Sequence, residues 1–204
     1  MARSAIQTLN PPQGRVQDRS QGRADNRALE AARQAAIVVG ASLLVALCAH
    51  ITIPLMPLTP VPLTVQNLGV LLVGMMLGSR RGFAALVLYL VEGMAGLPVF
   101  NPTGPGGVAQ LFGFTGGFLL VYPFVAFLAG YIFERGTKSF LRAAVAASLA
   151  EILLFVGGLT WLYIFTHSLA KAYVFIPAEI VKVMLAAAIA MRWRGLIAKK
   201  SEQH

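Results

Sequence analysis

Glu179 and Lys182, in the stretch PAEIVK, have the types and spacing for chemistry. They stand three residues apart, so on a helix they share one face. The stretch lies within an apolar run at about 174–193. Charged groups at membrane depth are costly, and each member of an opposite pair offsets the other's desolvation. Two readings stay open: an ion pair that only aids insertion and packing, or a polar site for a small solute. Other polar groups sit in or beside apolar runs: His50, Gln66, Asn67, Glu92 and Glu151. Gln66 offers a donor and an acceptor, which suits a urea or amide ligand. Glu92 precedes GMAGLPVF, near the outer end of its run. Either is equally readable as a structural hydrogen-bond partner. Glu151 sits mid-run and, if ionised, needs a partner; it reads as structural or gating. Trp161 follows Gly157-Gly158 and is placed to stack on a flat ligand, while Phe100 and Tyr163 also fall near the outer boundary, as in an aromatic belt.

Several chemistries are excluded. No G-x-S-x-G, H-E-x-x-H or G-x-x-x-x-G-K-[ST] occurs. TGPGG at 103–107 has the glycines of a phosphate loop but not its Lys. His50 and His167 are isolated, so no metal site is expected, and the single Cys48 allows no internal disulfide. The chain is therefore not expected to be an enzyme, to need a cofactor or to contain an ATPase.

The elements that must carry these residues follow from composition. The 204 residues are 57% hydrophobic, with mean hydropathy +0.70 and only 12% charged residues. Soluble domains carry about 25%. This is an integral membrane protein with one domain. Apolar segments fall at about 35–53, 63–77, 82–95, 114–133, 141–165 and 174–193. A span needs roughly 20 residues, so the second and third are short and start or stop inside the protein. The expected division is a disordered polar tail at 1–27, an all-α six-helix membrane domain at 28–195 and a basic tail at 196–204.

The net charge of +9 belongs to topology rather than to nucleic acid. Arg3, Arg15, Arg19, Arg23, Arg27 and Arg33 precede the first segment, and Arg80 and Arg81 lie in the second connection. Arg135, Lys138 and Arg142 lie at the fourth, and Arg192, Arg194, Lys199 and Lys200 at the C-terminal end. The first and third connections carry no Lys or Arg, and the fifth only Lys171. The alternation places both termini in the cytoplasm, and the plasma membrane is the expected location. It also puts two uncharged loops outside, 54–62 (PLMPLTPVP) and 96–113. Residues 96–117 contain seven Gly and three Pro. A topology rule explains missing charge but not that density of Gly and Pro. Stiff Pro and closely approaching Gly suit a lid over a pocket. Ala28, Ala32, Ala36 and Gly40 form a four-residue repeat of small residues, suited to packing within the bundle or to docking on another membrane subunit.

PVPLTVQNLGVLLVGMMLGSRRG, LVEGMAGLPVF, LFGFTGGFLL, GLTWL and PAEIVK occur in this order between about 36 and 192. Together they resemble the BioY family, the biotin-binding S components of energy-coupling factor (ECF) vitamin transporters. The resemblance implies a six-helix subunit that binds biotin in an outward-facing pocket. It also implies a transmembrane coupling subunit and ATP-binding-cassette ATPases as partners, although some members are thought to work without them. In such families the small-residue stripe of the first helix contacts the coupling subunit, a role matched by Ala28, Ala32, Ala36 and Gly40. The expected ligand contacts are Gln66, Glu92, Phe100, Asn101, Trp161, Glu179 and Lys182. Departures from the family pattern fall at Phe114 within GFTGG, at Thr160, at Ala178 and Glu179 within PAE, and in the lid, where the usual Arg is missing. Two other classes remain: an intramembrane hydrolase or transferase using Glu92 or Glu151, and a structural subunit with no ligand.

Overall fold

Each apolar segment folds as a helix, and glycines and prolines between them set the ends. In the computed structural model the described residues are 13–55, 60–136, 139–169 and 172–201. The helices are α1 (Gln13–His50), α2 (Gln66–Leu77), α3 (Ser79–Met94), a short α4 (Gly107–Leu111), α5 (Gly116–Glu134), α6 (Phe140–Thr166) and α7 (Ile176–Ser201). A 3₁₀ turn at Ala172–Phe175 leads into α7. Residues 13–27, expected as a disordered tail, are helical, as are residues 196–201 at the other end. Arg and Gln, both good helix formers, are frequent in residues 13–27. Residues 1–12 and 202–204 lie outside the described residues.

The chain forms two units, Met1–Ile37 and Val38–His204. In the first, Ala28, Ala32 and Ala36 are exposed, and Glu30 accepts from Gln34 at 2.5 Å and pairs with Arg33 at 3.7 Å. In the second, α5 packs against α2, α3 and α6, and α7 packs against α6 and α2. Small residues permit the close approach. The buried face of α6 reads Ala143, Ala146, Ala147 and Ala150. α2 and α3 meet at Gly78, whose φ of 88° excludes most side chains, so Arg80 and Arg81, expected in a connection, lie in the first turn of α3. The N–H and hydroxyl of Ser79 then donate to the Glu134 carboxylate at 2.9 and 3.0 Å, an acid placed at the start of α3.

Among the described residues, three helical stretches are long and apolar enough to cross a membrane: Asn26–His50, Gly116–Glu134 and Phe140–Thr166. α2 and α3 are short, with 12 and 16 residues, and α7 carries charges in its first turns and last half. Leu120, Phe124, Ile152, Val156, Ile180 and Met184 are exposed on the outer faces of α5, α6 and α7. In water such an apolar surface would drive association, whereas lipid solvates it.

The chain on either side of the first uncharged loop, and the second loop itself, are ordered by hydrogen bonds. The first returns on itself as a small antiparallel ladder, β1 (Thr52–Ile53) and β2 (Leu63–Thr64), with Thr52 opposite Thr64. The second holds α4.

Candidate ligand-binding site

The β1–β2 ladder fixes where α2 begins. Val65 N–H donates to the Ile51 carbonyl at 3.1 Å, so α2 starts at Gln66 with its first two amides turned inward. Gln66 and Asn67 are 2% and 6% exposed. On α7, the (i, i+3) spacing aims Glu179 and Lys182 at the same place, and α6 adds Glu151 from mid-helix.

The four groups form one network. Lys182 Nζ donates to Glu179 Oε1 at 2.7 Å and to Asn67 Oδ1 at 3.0 Å. Asn67 Nδ2 donates to Glu179 Oε2 at 2.5 Å and to Glu151 Oε1 at 2.9 Å. The amide thus uses both hydrogens on carboxylates and its oxygen on the ammonium. Glu151 Oε2 is a buried side-chain oxygen without a partner among the described residues. Carboxyl oxygens of Glu151 and Glu179 surround one ammonium, and the unpartnered Glu151 Oε2 can accept from a hydrogen-bond donor on a further occupant.

Above the network is a cavity of ≈ 50 Å³, lined by Thr64, Gln66, Asn67, Asn101, Gln110, Thr115, Tyr122, Glu179, Lys182 and a set of apolar side chains that includes Leu154, Phe118, Phe155 and Phe175. The aromatic walls meet edge-on: Phe118 and Phe155 lie 6.3 Å apart between ring centres. A larger hollow of ≈ 900 Å³ runs along α6 and α7, and both Glu151 and Glu179 line it among mostly apolar neighbours.

The 96–113 loop closes over the cavity and holds itself together. Asn101 Oδ1 accepts from the Thr103 N–H and hydroxyl at 2.9 Å each. Gln110 donates to the Asn101 carbonyl at 3.3 Å and accepts from Gly106 N–H at 3.1 Å. Phe100 fills the space over Gly93, where a Cβ would overlap its ring, and meets Tyr89 edge-on at 5.3 Å. Gln66 donates to the Tyr89 hydroxyl at 2.8 Å, which donates to the Val99 carbonyl at 3.0 Å. One chain of hydrogen bonds therefore ties α2, α3 and the loop together. Trp161 packs against Gly117, where a Cβ would overlap it, and donates its indole N–H to the Gly113 carbonyl at 2.9 Å.

Of the residues expected at the site, Gln66, Asn101, Glu179 and Lys182 line the cavity. Phe100 and Trp161 support the loop from behind. Glu92 lies apart, accepting a hydrogen bond from the Ser42 hydroxyl of α1. Asn67 and Gln110 were absent from the expected contact set. Asn67 had a signal, as a polar residue beside Gln66 in an apolar run, but its hub role depends on α6 and α7. Tyr122 carried none, since an aromatic in an apolar helix is ordinary core. Because Trp161 holds the loop by one hydrogen bond, Trp161→Phe keeps the packing and frees the Gly113 carbonyl. The expected result is a loss of about 1 kcal/mol, a few-fold rise in ligand off-rate measured by stopped flow. An unchanged off-rate would remove Trp161 from the control of the loop.

The BioY family model matches residues 19–199. The chain is 36% identical over 143 residues to the biotin transporter BioY of Rhizobium etli, covering 63% of this chain and 75% of that one. It is 35% identical to a probable biotin transporter BioY of Pyrococcus horikoshii, over 67% of this chain and 82% of that one. The biotin transporter BioY of Thermotoga maritima is 34% identical, over 69% and 85%. These relatives are transporters, which leaves the intramembrane enzyme reading on Glu92 or Glu151 without support. The fold matches the crystal structure of the S-component for biotin from an ECF-type ABC transporter with a TM-score of 0.72 at 23% identity, covering 81% of this chain and 93% of that one. With a family model matched from residue 19 to residue 199, and with relatives that share its sequence across most of their own lengths, this chain belongs to the BioY family.

Proposed function

We propose that this protein is the biotin-binding membrane subunit of a vitamin uptake system, with its cavity open to the exterior of the plasma membrane. The observation that carries this reading is the Asn67–Glu151–Glu179–Lys182 network at the base of the cavity. The fused ureido ring of biotin presents two N–H donors and one carbonyl in a plane. The carboxylates of Glu179 and Glu151 suit the N–H groups, and Lys182 suits the carbonyl. Gln66 and Asn101 add neutral contacts, while Phe118, Phe155 and Phe175 take the apolar ring edge. A tail carboxylate in the ring's place would lie against Glu179, whose acid already pairs with the ammonium of Lys182. Two like charges 4 Å apart repel by about 4 kcal/mol at an effective dielectric of about 20. The ring therefore points to the base and the tail to the loops.

A cavity of ≈ 50 Å³ is small beside the roughly 300–1,000 Å³ of small-ligand sites. Entry of the ligand moves the 96–113 loop or the β1–β2 ladder outward, a role that suits their uncharged Gly- and Pro-rich sequences. The six-helix membrane domain occupies 28–195 with both termini cytoplasmic, as the alternation of Lys and Arg indicates. An ECF coupling subunit and ATP-binding-cassette ATPases supply the energy. The exposed Ala28, Ala32, Ala36 and Gly40 offer the coupling subunit a smooth surface, since a Cβ at Gly40 would meet nothing within 4 Å.

The test is binding of labelled biotin to right-side-out and inside-out vesicles that contain the protein, with thiamine and riboflavin as competitors. Saturable binding to right-side-out vesicles, unaffected by the other vitamins, is expected. Binding to inside-out vesicles alone would overturn the orientation, and no saturable binding in vesicles or in detergent would overturn the function.

A further inference from the structure

We infer that the site reads only the ring end of its ligand, so that biotin derivatives with an uncharged tail, carboxamides and esters, are bound as well as the free acid. This rests on the biotin reading above. The first observation is the charge of the cavity wall. Among the described residues that line it, Lys182 is the one cation. Its ammonium is held at the base by Glu179 at 2.7 Å and Asn67 at 3.0 Å. It therefore serves the ring and is already matched by a carboxylate.

The second observation is the chemistry at the mouth. Val61, Pro62, Thr64, Asn101, Gln110 and Thr115 bear no charge. Residues 54–62 and 96–113 contain no Lys, Arg or His at all. Backbone amides can replace a cation, because a run of free N–H groups binds anions. Here the loop turns four of the N–H groups between Asn101 and Gly113 on itself. Thr103 N–H donates to the Asn101 side chain, Gly104 N–H to the Asn101 carbonyl, Gly106 N–H to Gln110 and Gly113 N–H to the Gln110 carbonyl. A tail carboxylate closed under this loop gives up water and meets no described cation in return. Charge-assisted hydrogen bonds are about twice as strong as neutral ones, and it is those bonds that let a site prefer an acid to its amide. Without them the amide, which is less strongly hydrated and nearly the same shape, loses nothing by comparison. Lys171, in the connection before α7, lies outside the described residues and enters the test as its own variant.

The experiment is competition against labelled biotin on the full-length protein in detergent, with unlabelled biotin, biotinamide and biotin methyl ester. The expected dissociation constants for amide and acid agree within about tenfold. A preference of tenfold or more for the acid overturns the inference. If that preference disappears in Lys171→Gln, the carboxylate is bound by Lys171; if it persists, the loop supplies an anion site in the closed state. Failure of biotin itself to bind would instead sink the functional reading, and this inference with it.

Discussion

Lys182→Met is expected to raise the Kd for biotin by about 30-fold or more and to lower the melting temperature of the protein. Lys182 and Glu179 are 8% and 7% exposed and 2.7 Å apart. Loss of a hydrogen bond from a charged donor to the ligand costs about 2 kcal/mol, which is roughly 30-fold in Kd. A second effect acts on the fold. Removing one partner of a buried pair leaves the other charge uncompensated, at about 3–5 kcal/mol. Here Lys182 is also the donor to Asn67 Oδ1, so the amide would lose the partner that sets its orientation. Glu179 would then keep only the Asn67 amide as a partner. The effects on binding and on fold separate in the double variant Glu179→Gln with Lys182→Met, which removes both charges. It should regain much of the thermal stability without regaining affinity. Calorimetry for binding and a thermal melt for stability give the two readings. Unchanged affinity in Lys182→Met would take this residue out of the ligand site.

Gly74→Val is expected to abolish the folded bundle. A Cβ at Gly74 would overlap the carbonyl oxygen of Ala126 on α5. One at Gly130 would lie 2.6 Å from both Gly74 O and Ser79 N, and one at Gly82 would lie 3.0 Å from Gly74 Cα. Here α2, α3 and α5 meet backbone to backbone. No rotamer change relieves such an overlap, so the helices must separate. Ordinary overpacking costs about 1–3 kcal/mol, and a forced separation of three helices exceeds that. The expected result is aggregated or absent protein in size-exclusion chromatography. Gly40→Ala is the control, since a Cβ there meets nothing within 4 Å, and it should elute and melt as the parent does. A monodisperse Gly74→Val protein with an unchanged melting temperature would show that the crossing is looser than described.

The Gly74 crossing and the Lys182 network also divide what sequence can carry from what it cannot. Sequence alone determined the membrane class, because hydropathy is a sum over local residues. It determined that each apolar segment is helical, although α1 begins at Gln13 and α7 runs on to Ser201, and it determined the charge alternation from which the orientation is proposed. It determined the Glu179–Lys182 pair, since one helical turn brings residues three apart together whatever else the chain does. Gly- and Pro-rich composition likewise marked the two uncharged loops. Family motifs spread along the chain carried the biotin assignment.

Tertiary structure decided the rest. Asn67 meets Glu151 across 84 residues of sequence and Glu179 across 112. Such meetings depend on which helix faces pack together. In a membrane protein, lipid-facing and core-facing positions are both apolar, so the pattern does not choose among faces. For the same reason Trp161 and Phe100 had the chemistry of ligand contacts, yet one braces Gly113 and the other fills the gap over Gly93. Glu92 had the same polarity as Glu151, but the packing of α1 against α3 gave it Ser42, while the packing of α6 brought Glu151 to Asn67. Residue type set which groups required a partner, and helix packing, through close contacts such as Gly74 on Ala126, set which partner each one found.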